Sequence, residues 1–264
     1  MWRDSRTAGA AYAAALVGGA VAAAVVTDRA AARLNASPLL AAAATWTALG
    51  ATTLLREATG VHAQLARGDL SAAREQVTHL VGRDPSGMDE SEVARAVVES
   101  VAENTSDAVV APLLWGAVAG VPGLLGYRAL NTLDAMVGHR SPRYARFGWA
   151  SARLDDAANL VPARVTAALA ALASGRPRAV LDVVRRDARR HPSPNAGWCE
   201  AAFAGALELR LGGRNTYGGL VDERPTIGDG KPASLADIPR ANALATRVAV
   251  AAAVLAVAVA GARR

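Results

Sequence analysis

The chain has 264 residues, a hydrophobic fraction of 52% and a formal net charge of +6, a size that suits one large domain or two modest ones. Its single cysteine, Cys199, excludes an intramolecular disulfide and a cysteine zinc cluster, and its single lysine, Lys231, is followed by Pro232, which excludes a Walker A phosphate loop. The basic residues are spread along the sequence, and Asp187 interrupts the one dense run from Arg185 to Arg190, so the positive charge does not read as a nucleic-acid footprint.

Alanine dominates and aromatic residues are scarce, which favours helix over strand. Three runs lack charge: Ala8 to Val26, closed by Asp28 and Arg29; Ser37 to Leu55, closed by Arg56; and Val248 to Ala262, before Arg263 and Arg264. Roughly 20 helical residues cross a ~30 Å hydrocarbon core, so the first two runs are long enough and the third is if it begins near Ala241. Buried alanine-rich helices of a soluble protein, or a secretory signal over Met1 to Val26, would share this composition. Apolar segments that recur downstream favour the membrane.

Between these runs, Arg56 to Val81 reads as a polar helix with a turn at Gly68-Asp69, and Asp84-Pro-Ser-Gly87 breaks the chain. Asp89 with Glu92 opens a helix running to about Asp107. Ala108 to Leu125 is apolar but punctuated by Pro112, Gly116, Gly120, Pro122 and Gly123, the pattern of a broken or re-entrant helix. Further helices are expected over Tyr127 to Val137, Trp149 to Leu172 with Pro162 inside, Arg176 to Arg190, and Trp198 to Leu211 after a rigid turn at His191 to Asn195. Gly212 to Gly219 reads as a glycine-rich loop and Val221 to Pro239 as a polar segment before the last apolar helix, with no strand alternation. The expected fold is all-α: one multi-pass membrane helical bundle over 1–264, in which polar loops and broken helices form the site.

Ionisable groups embedded in apolar helical sequence mark where that site lies. Glu99, Glu103 and Asp107 recur at spacing four along one stripe, and like charges so placed repel unless a cation sits among them. A solvated face, with Arg95 neutralising Glu99, explains the stripe; so does a carboxylate cluster holding Mg²⁺. Asn131 and Asp134 lie three apart in an apolar helix with His139 beyond, and Asp155 and Asp156 both reach Asn159. These suit a hard metal, or ordinary ion pairs with Arg153 and Arg164. If the helices are in the membrane, each central carboxylate costs roughly 2.5–3.5 kcal/mol on insertion scales, which favours a site. Arg185 and Arg186, then His191 and Asn195, then Arg214, Asn215 and Tyr217 between two Gly-Gly pairs, suit phosphate groups.

At these residues the sequence resembles the adenosylcobinamide-phosphate synthases of cobalamin biosynthesis, the CobD/CbiB type. The motifs are Glu99-Ser-Val-Ala-Glu-Asn-Thr-Ser-Asp107, Tyr127-Arg-Ala-Leu-Asn-Thr-Leu-Asp134, Gly148-Trp-Ala-Ser-Ala-Arg-Leu-Asp-Asp156 with Asn159-Leu-Val-Pro-Ala-Arg164, His191-Pro-Ser-Pro-Asn-Ala-Gly-Trp198, and Leu211-Gly-Gly-Arg-Asn-Thr-Tyr-Gly-Gly219. The resemblance implies a multi-pass inner-membrane ligase that joins adenosylcobyric acid to aminopropanol or its phosphate, with ATP and Mg²⁺. It implies a corrinoid substrate, inner-membrane lipid around the protein, and later nucleotide-loop assembly enzymes as partners. It also implies a further apolar segment with Gly-Asp-Pro and His-Pro motifs before Trp2, expected upstream of Met1. ATP would convert the carboxylate to an acyl phosphate, which the amine attacks. On this reading Glu99, Glu103, Asp107, Asp155 and Asp156 hold the metal. Asn104, Asn131 and Asn159 orient ligands, with Glu103 and Asp134 beside them. Arg185, Arg186, Asn195, Arg214 and Tyr217 bind substrate, and His139 or His191 relays a proton. A corrinoid transporter component, or a membrane scaffold of the same pathway, would carry the same buried carboxylates.

Overall fold

The computed structural model describes residues 4–138, 143–217 and 220–263. Among the described residues the fold is all-α apart from a small sheet, and four helical stretches are long and apolar enough to cross a membrane: Arg6–Arg33, Ser37–Ala66, Glu90–Gly138 and Asp237–Gly261. The last begins at Asp237, which gives the C-terminal run the length that its uncharged residues alone lack. The chain forms two compact units.

The first unit comprises Met1–Leu49, Asp107–Pro162 and Ala253–Arg264. It holds α1 (Arg6–Arg33), α2 (Ser37–Ala48), α6 (Ala111–Leu133) and the first half of α7 (Trp149–Ala173). Ser5 starts α1 by accepting the Ala8 N–H at 3.2 Å. The buried residues of α1 are Gly9, Ala13, Ala24 and Ala31, so the helix packs through small residues. A Cβ on Gly126 of α6 would stand 2.7 Å from Val21 of α1, which is why the backbones need glycine there. Large apolar side chains face outward; Trp46 of α2 is 86% exposed.

Helix α6 carries the predicted break. Ala119 and Gly120 leave helical geometry, Gly120 at φ 66° and ψ −157°, a region open only to glycine. A Cβ on Gly123 would lie 2.5 Å from the Trp115 carbonyl oxygen. Residues eight apart in a continuous helix are separated by about 12 Å of rise, so the chain turns back on itself here, and Pro122 opens the returning half. Two π-helical turns, Ser106–Val110 and Asp134–Gly138, flank α6 and carry Asp107 and Asp134. Such turns widen a helix locally and recur at functional sites.

The second unit comprises Gly50–Ser106 and Ala163–Ala252. It holds α3 (Ala51–Ala66), α4 (Leu70–Val77), α5 (Glu90–Thr105), the end of α7, α8 (Pro177–Asp187), α9 (Ala196–Leu207) and most of α10 (Asp237–Gly261). Gly68, at φ 75°, makes the predicted turn between α3 and α4. Asp89 and Glu92 form the full reciprocal cap of α5. Val93, Val97 and Val101 then pack its buried face.

The region expected as a glycine loop and polar segment is instead a hairpin. Strand β1 (Leu209–Tyr217) pairs antiparallel with β2 (Leu220–Ile227), and β3 (Lys231–Pro232) adds in parallel, giving the order β2-β1-β3. Helix α9 stops at Leu207, four residues before the expected Leu211, with Glu208 left-handed at φ 59°. Leu209, Leu211 and Ile227 are fully buried beneath the hairpin. That alternation is too short to stand out in so polar a stretch. Gly212 sits at φ 76° in a register shift of β1, and a Cβ there would lie 2.2 Å from the Pro225 carbonyl oxygen. The glycine makes a bulge within a strand, not a loop.

Candidate functional site

In the first unit a hydrogen-bond chain links α6 to α7 around Asp155. Asn159 Nδ2 donates to Asp155 Oδ2 at 2.9 Å, and Asn131 Nδ2 donates to Asp155 Oδ1 at 3.3 Å. The Tyr127 hydroxyl lies 2.9 Å from Asn159 Oδ1 and 3.2 Å from the Asp107 carbonyl oxygen. Arg128 donates to Asn131 Oδ1 at 3.2 Å. The spacing of four between Asp155 and Asn159 puts both on one face of α7, and both are buried. Burial, reinforced by the charge of Asp134, pushes the Asp155 carboxyl up to about 6, against the two amides that favour its ionised form. The Asp134 carboxylate lies against Gly138, where a Cβ would meet Oδ1 at 1.8 Å. Asp156 is half-buried and faces Arg153 at 3.6 Å.

In the second unit Glu99 anchors two arginines. Arg83 Nη2 donates to Glu99 Oε2 at 2.7 Å, and Arg95 Nη1 donates to Oε1 at 3.1 Å. The Gly212 N–H donates to the same Oε1 at 2.8 Å. Arg95 also reaches the carbonyls of Gly212 at 2.6 Å and Arg214 at 2.8 Å. Asn215 Oδ1 accepts from Arg83, and from Arg95 at 3.2 Å. The bulge of β1 is thereby fastened to α5. Beside this network, His191 Nε2 stands 3.5 Å from Glu200 Oε1, and the Ser193 N–H donates to His191 Nδ1 at 3.0 Å. An accepting Nδ1 puts the ring proton on Nε2. Burial, then the positive charge of Arg224, holds His191 below the usual histidine range. Burial, then the charges of Glu99 and Glu103, pushes Glu200 well above the usual carboxylate range.

The structure distributes the residues expected from sequence unevenly. Asn131, Asp134, Asp155 and Asn159 come together, and Asp107 joins them through its carbonyl. Among the described residues no three His, Cys, Asp or Glu side chains converge to hold a metal, so the expected five-carboxylate set is not one cluster. Both oxygens of Glu99 are taken by arginines and the Gly212 N–H, the ion-pair alternative for that residue. Glu103 is exposed, and Asn104 donates to the Ser100 carbonyl one turn back. Arg185, Arg186 and Arg214 do not form one phosphate clamp. Arg185 is exposed on α8, Arg186 is held between Asp187 and Asp229, and Arg214 is exposed on β1. Asp187, which also accepts the Gly228 N–H at 2.9 Å, is held near 2 chiefly by Arg186. Asn195 is buried and accepts from Arg164 at 3.3 Å. His139 and the side chain of Tyr217 lie outside the described residues.

Sequence reasoning held Tyr127 only as the start of a motif, without a role, and passed over Arg83 and Glu200. Glu200 carried a usable signal, because it is the only charge within the apolar helix α9. Arg83 carried none; its partner Asn215 is 132 residues away.

The family model described as CobD/Cbib protein matches residues 1–245. The cobalamin biosynthesis protein CobD of Mycobacterium tuberculosis is 52% identical over 261 residues, covering 97% of this chain and 83% of that protein. Its counterpart in Rhodobacter capsulatus is 57% identical over 176 residues, 65% of this chain and 56% of that protein. The Geobacter metallireducens protein of the same name is 52% identical over 188 residues, 70% of this chain and 59% of that protein. No solved structure matches.

Proposed function

The chain belongs to the CobD/CbiB family of cobalamin biosynthesis proteins, and on that footing we propose that it is an inner-membrane ligase. It joins adenosylcobyric acid to aminopropanol or its phosphate through an amide bond, with ATP. The observation that carries this reading is the chain from Tyr127 through Asn159 to Asp155 and Asn131. It buries an oxygen-rich cluster between α6 and α7 beside a π-helical turn.

The donor set of that cluster fits Mg²⁺. Asp134 and Asp155 offer hard oxygen ligands, and a bound cation would relieve the repulsion that Asp134 exerts on the Asp155 carboxylate. One or two carboxylates suffice when substrate phosphates and waters complete the shell. Bound there, Mg²⁺ would screen the charge of the nucleotide phosphates. Asn131 and Asn159 orient the Asp155 carboxylate, and Tyr127 fixes Asn159. In the second unit neutral His191 directs its Nε2–H at Glu200, the orientation of a proton donor.

The test is a mass-spectrometric assay of purified protein with adenosylcobyric acid, aminopropanol phosphate and MgATP. The expected result is the amide product with one phosphate released per bond formed. Absence of product, together with corrinoid uptake by cells that depends on the protein, would replace the ligase with a transporter component.

A further inference from the structure

In the first unit a cavity of about 310 Å³ lies between α1 and the two halves of α6, with Ala158 of α7 closing one side. We propose that it seats one acyl chain of an anionic membrane phospholipid, whose phosphodiester rests on Arg263 at the mouth. This rests on the membrane assignment of α1 and α6, not on the ligase reading.

The cavity exists because small residues meet where large ones would be needed to fill it. Helix α6 turns back at Gly120, so its halves lie side by side, and Gly123 passes close to the Trp115 carbonyl oxygen. Gly126 likewise yields its Cβ position to Val21 of α1. Ala119, Gly123, Gly126 and Ala158 therefore line a space that none of them can fill. Protein interiors hold few voids larger than a water molecule, so a space of this size calls for an occupant. Its chemistry is hydrocarbon. Of its lining side chains only Trp115 and Tyr127 carry polar atoms, and both donors are engaged. Trp115 Nε1 donates to the Ala158 carbonyl at 3.1 Å, and the Tyr127 hydroxyl lies 2.9 Å from Asn159 Oδ1. A polar ligand finds no free side-chain donor among the lining residues, and a water molecule needs two to four polar partners.

The surroundings name the source of the hydrocarbon. Both α1 and α6 belong to stretches long and apolar enough to cross a membrane. Ala119, at one end of the cavity, is exposed, as is its neighbour Val118. From there the lining follows α6 from Pro122 to Leu130, roughly 12 Å of helical rise, which suits an extended chain. Charge marks the mouth. Arg263 Nη1 donates to the Ala117 carbonyl at 3.2 Å, two residues before Ala119. Arg263 follows α10, whose apolar run ends at Gly261, and so stands at the depth where a spanning helix meets water. Among the described residues it makes no ion pair, so the rest of its guanidinium remains for a phosphodiester. At the far end the Tyr127 ring lines the cavity while its hydroxyl holds Asn159, so a seated chain backs the polar cluster with hydrocarbon instead of water.

Native mass spectrometry of the delipidated full-length protein in detergent tests the seat, with dioleoyl phosphatidylglycerol and dioleoyl phosphatidylcholine as probes. The first phosphatidylglycerol should bind at least ~10-fold more tightly than the next, and at least ~3-fold more tightly than phosphatidylcholine. Ala119→Phe puts a ring at the mouth and should weaken that first binding at least ~10-fold. Val17→Phe should do the same from the α1 wall, and should one of the two variants fail to fold, the other carries the test. Arg263→Gln should remove the preference for phosphatidylglycerol, while Leu39→Phe, on an outward face of α2, should change nothing. Equal affinities for successive lipids overturn the seat, as does unchanged first binding in the two cavity-filling variants. Equal affinity for the two lipids, or a preference that survives Arg263→Gln, overturns the placing of the headgroup on Arg263. The same spectra read the mass of the protein itself. A dimer that takes up no tight lipid assigns the cavity to a second copy and overturns the proposal. None of these readings involves turnover, so loss of the ligase reading leaves the seat standing. A protein that forms the amide but binds successive lipids alike loses the seat alone.

Discussion

Asp155 and Asp156 are neighbours in sequence with different surroundings. Asp155 is buried and takes two amide hydrogen bonds, while Asp156 is half-buried against Arg153. Asp155→Asn should lower amide formation by at least ~10²-fold, the order of loss when one preorganised charge-stabilising group is removed. Asp156→Asn should cost less than ~10-fold, because what it loses is a partly exposed ion pair. Equal losses, measured in the same product assay, would mean that burial does not distinguish the two carboxylates. Gly138→Ala is the second residue-scale test. A methyl group there displaces the Asp134 carboxylate without altering any charge, so turnover should fall and raised Mg²⁺ should recover part of it by mass action. The pairing of Asp155 with Asn159 was legible in sequence because helical spacing alone dictates it. The partners of Glu99 were half legible: Arg95 is one turn away, but Arg83 and Gly212 reach it only through tertiary folding.

At the scale of elements, the break in α6 and the latch at Asp187 make separate predictions. The Gly120 backbone lies where other residues are strained, so Gly120→Ala should destabilise the protein by roughly 1–3 kcal/mol. The loss should register as a lowered melting temperature in detergent. Asp187 joins α8, the turn after it and the end of β2 through Arg186, Arg190 and the Gly228 N–H. Its pKa is depressed from 3.8 to about 2 in the folded protein. A depressed carboxylate stabilises the fold above its unfolded pKa, and that contribution, about 2 kcal/mol, is lost as pH falls from near 4 through 2. Melting temperature should therefore drop across this window, and Asp187→Asn should start lower at neutral pH and show a shallower drop. The broken helix was legible because glycine and proline punctuate an apolar run. The hairpin was not, since Gly212-Gly213 reads as a loop until the burial of Leu209, Leu211 and Ile227 is known.

At the scale of the whole molecule, composition is a weak guide because alanine is nearly neutral between water and lipid. The alanine-rich runs suited both a membrane protein and a soluble one. Burial is more decisive. A soluble helix buries its large apolar side chains, but here Val250, Val254 and Val257 of α10 are exposed at spacings of three and four, and Leu39 and Trp46 of α2 are exposed as well. Only 17% of the apolar window of Arg6–Arg33 and 22% of that of Asp237–Gly261 is buried within the protein. What remains needs lipid, since apolar surface left in water costs about 25 cal/mol per Å². The protein should therefore stay with the membrane fraction through a carbonate wash and require detergent for extraction. Introducing Val254→Asp and Val257→Asp together should weaken insertion of α10, at roughly 2.5–3.5 kcal/mol for each central charge, without touching a residue of either polar cluster. Recovery of the unaltered protein in the carbonate supernatant would mean that these exposed valines face a protein partner instead of lipid.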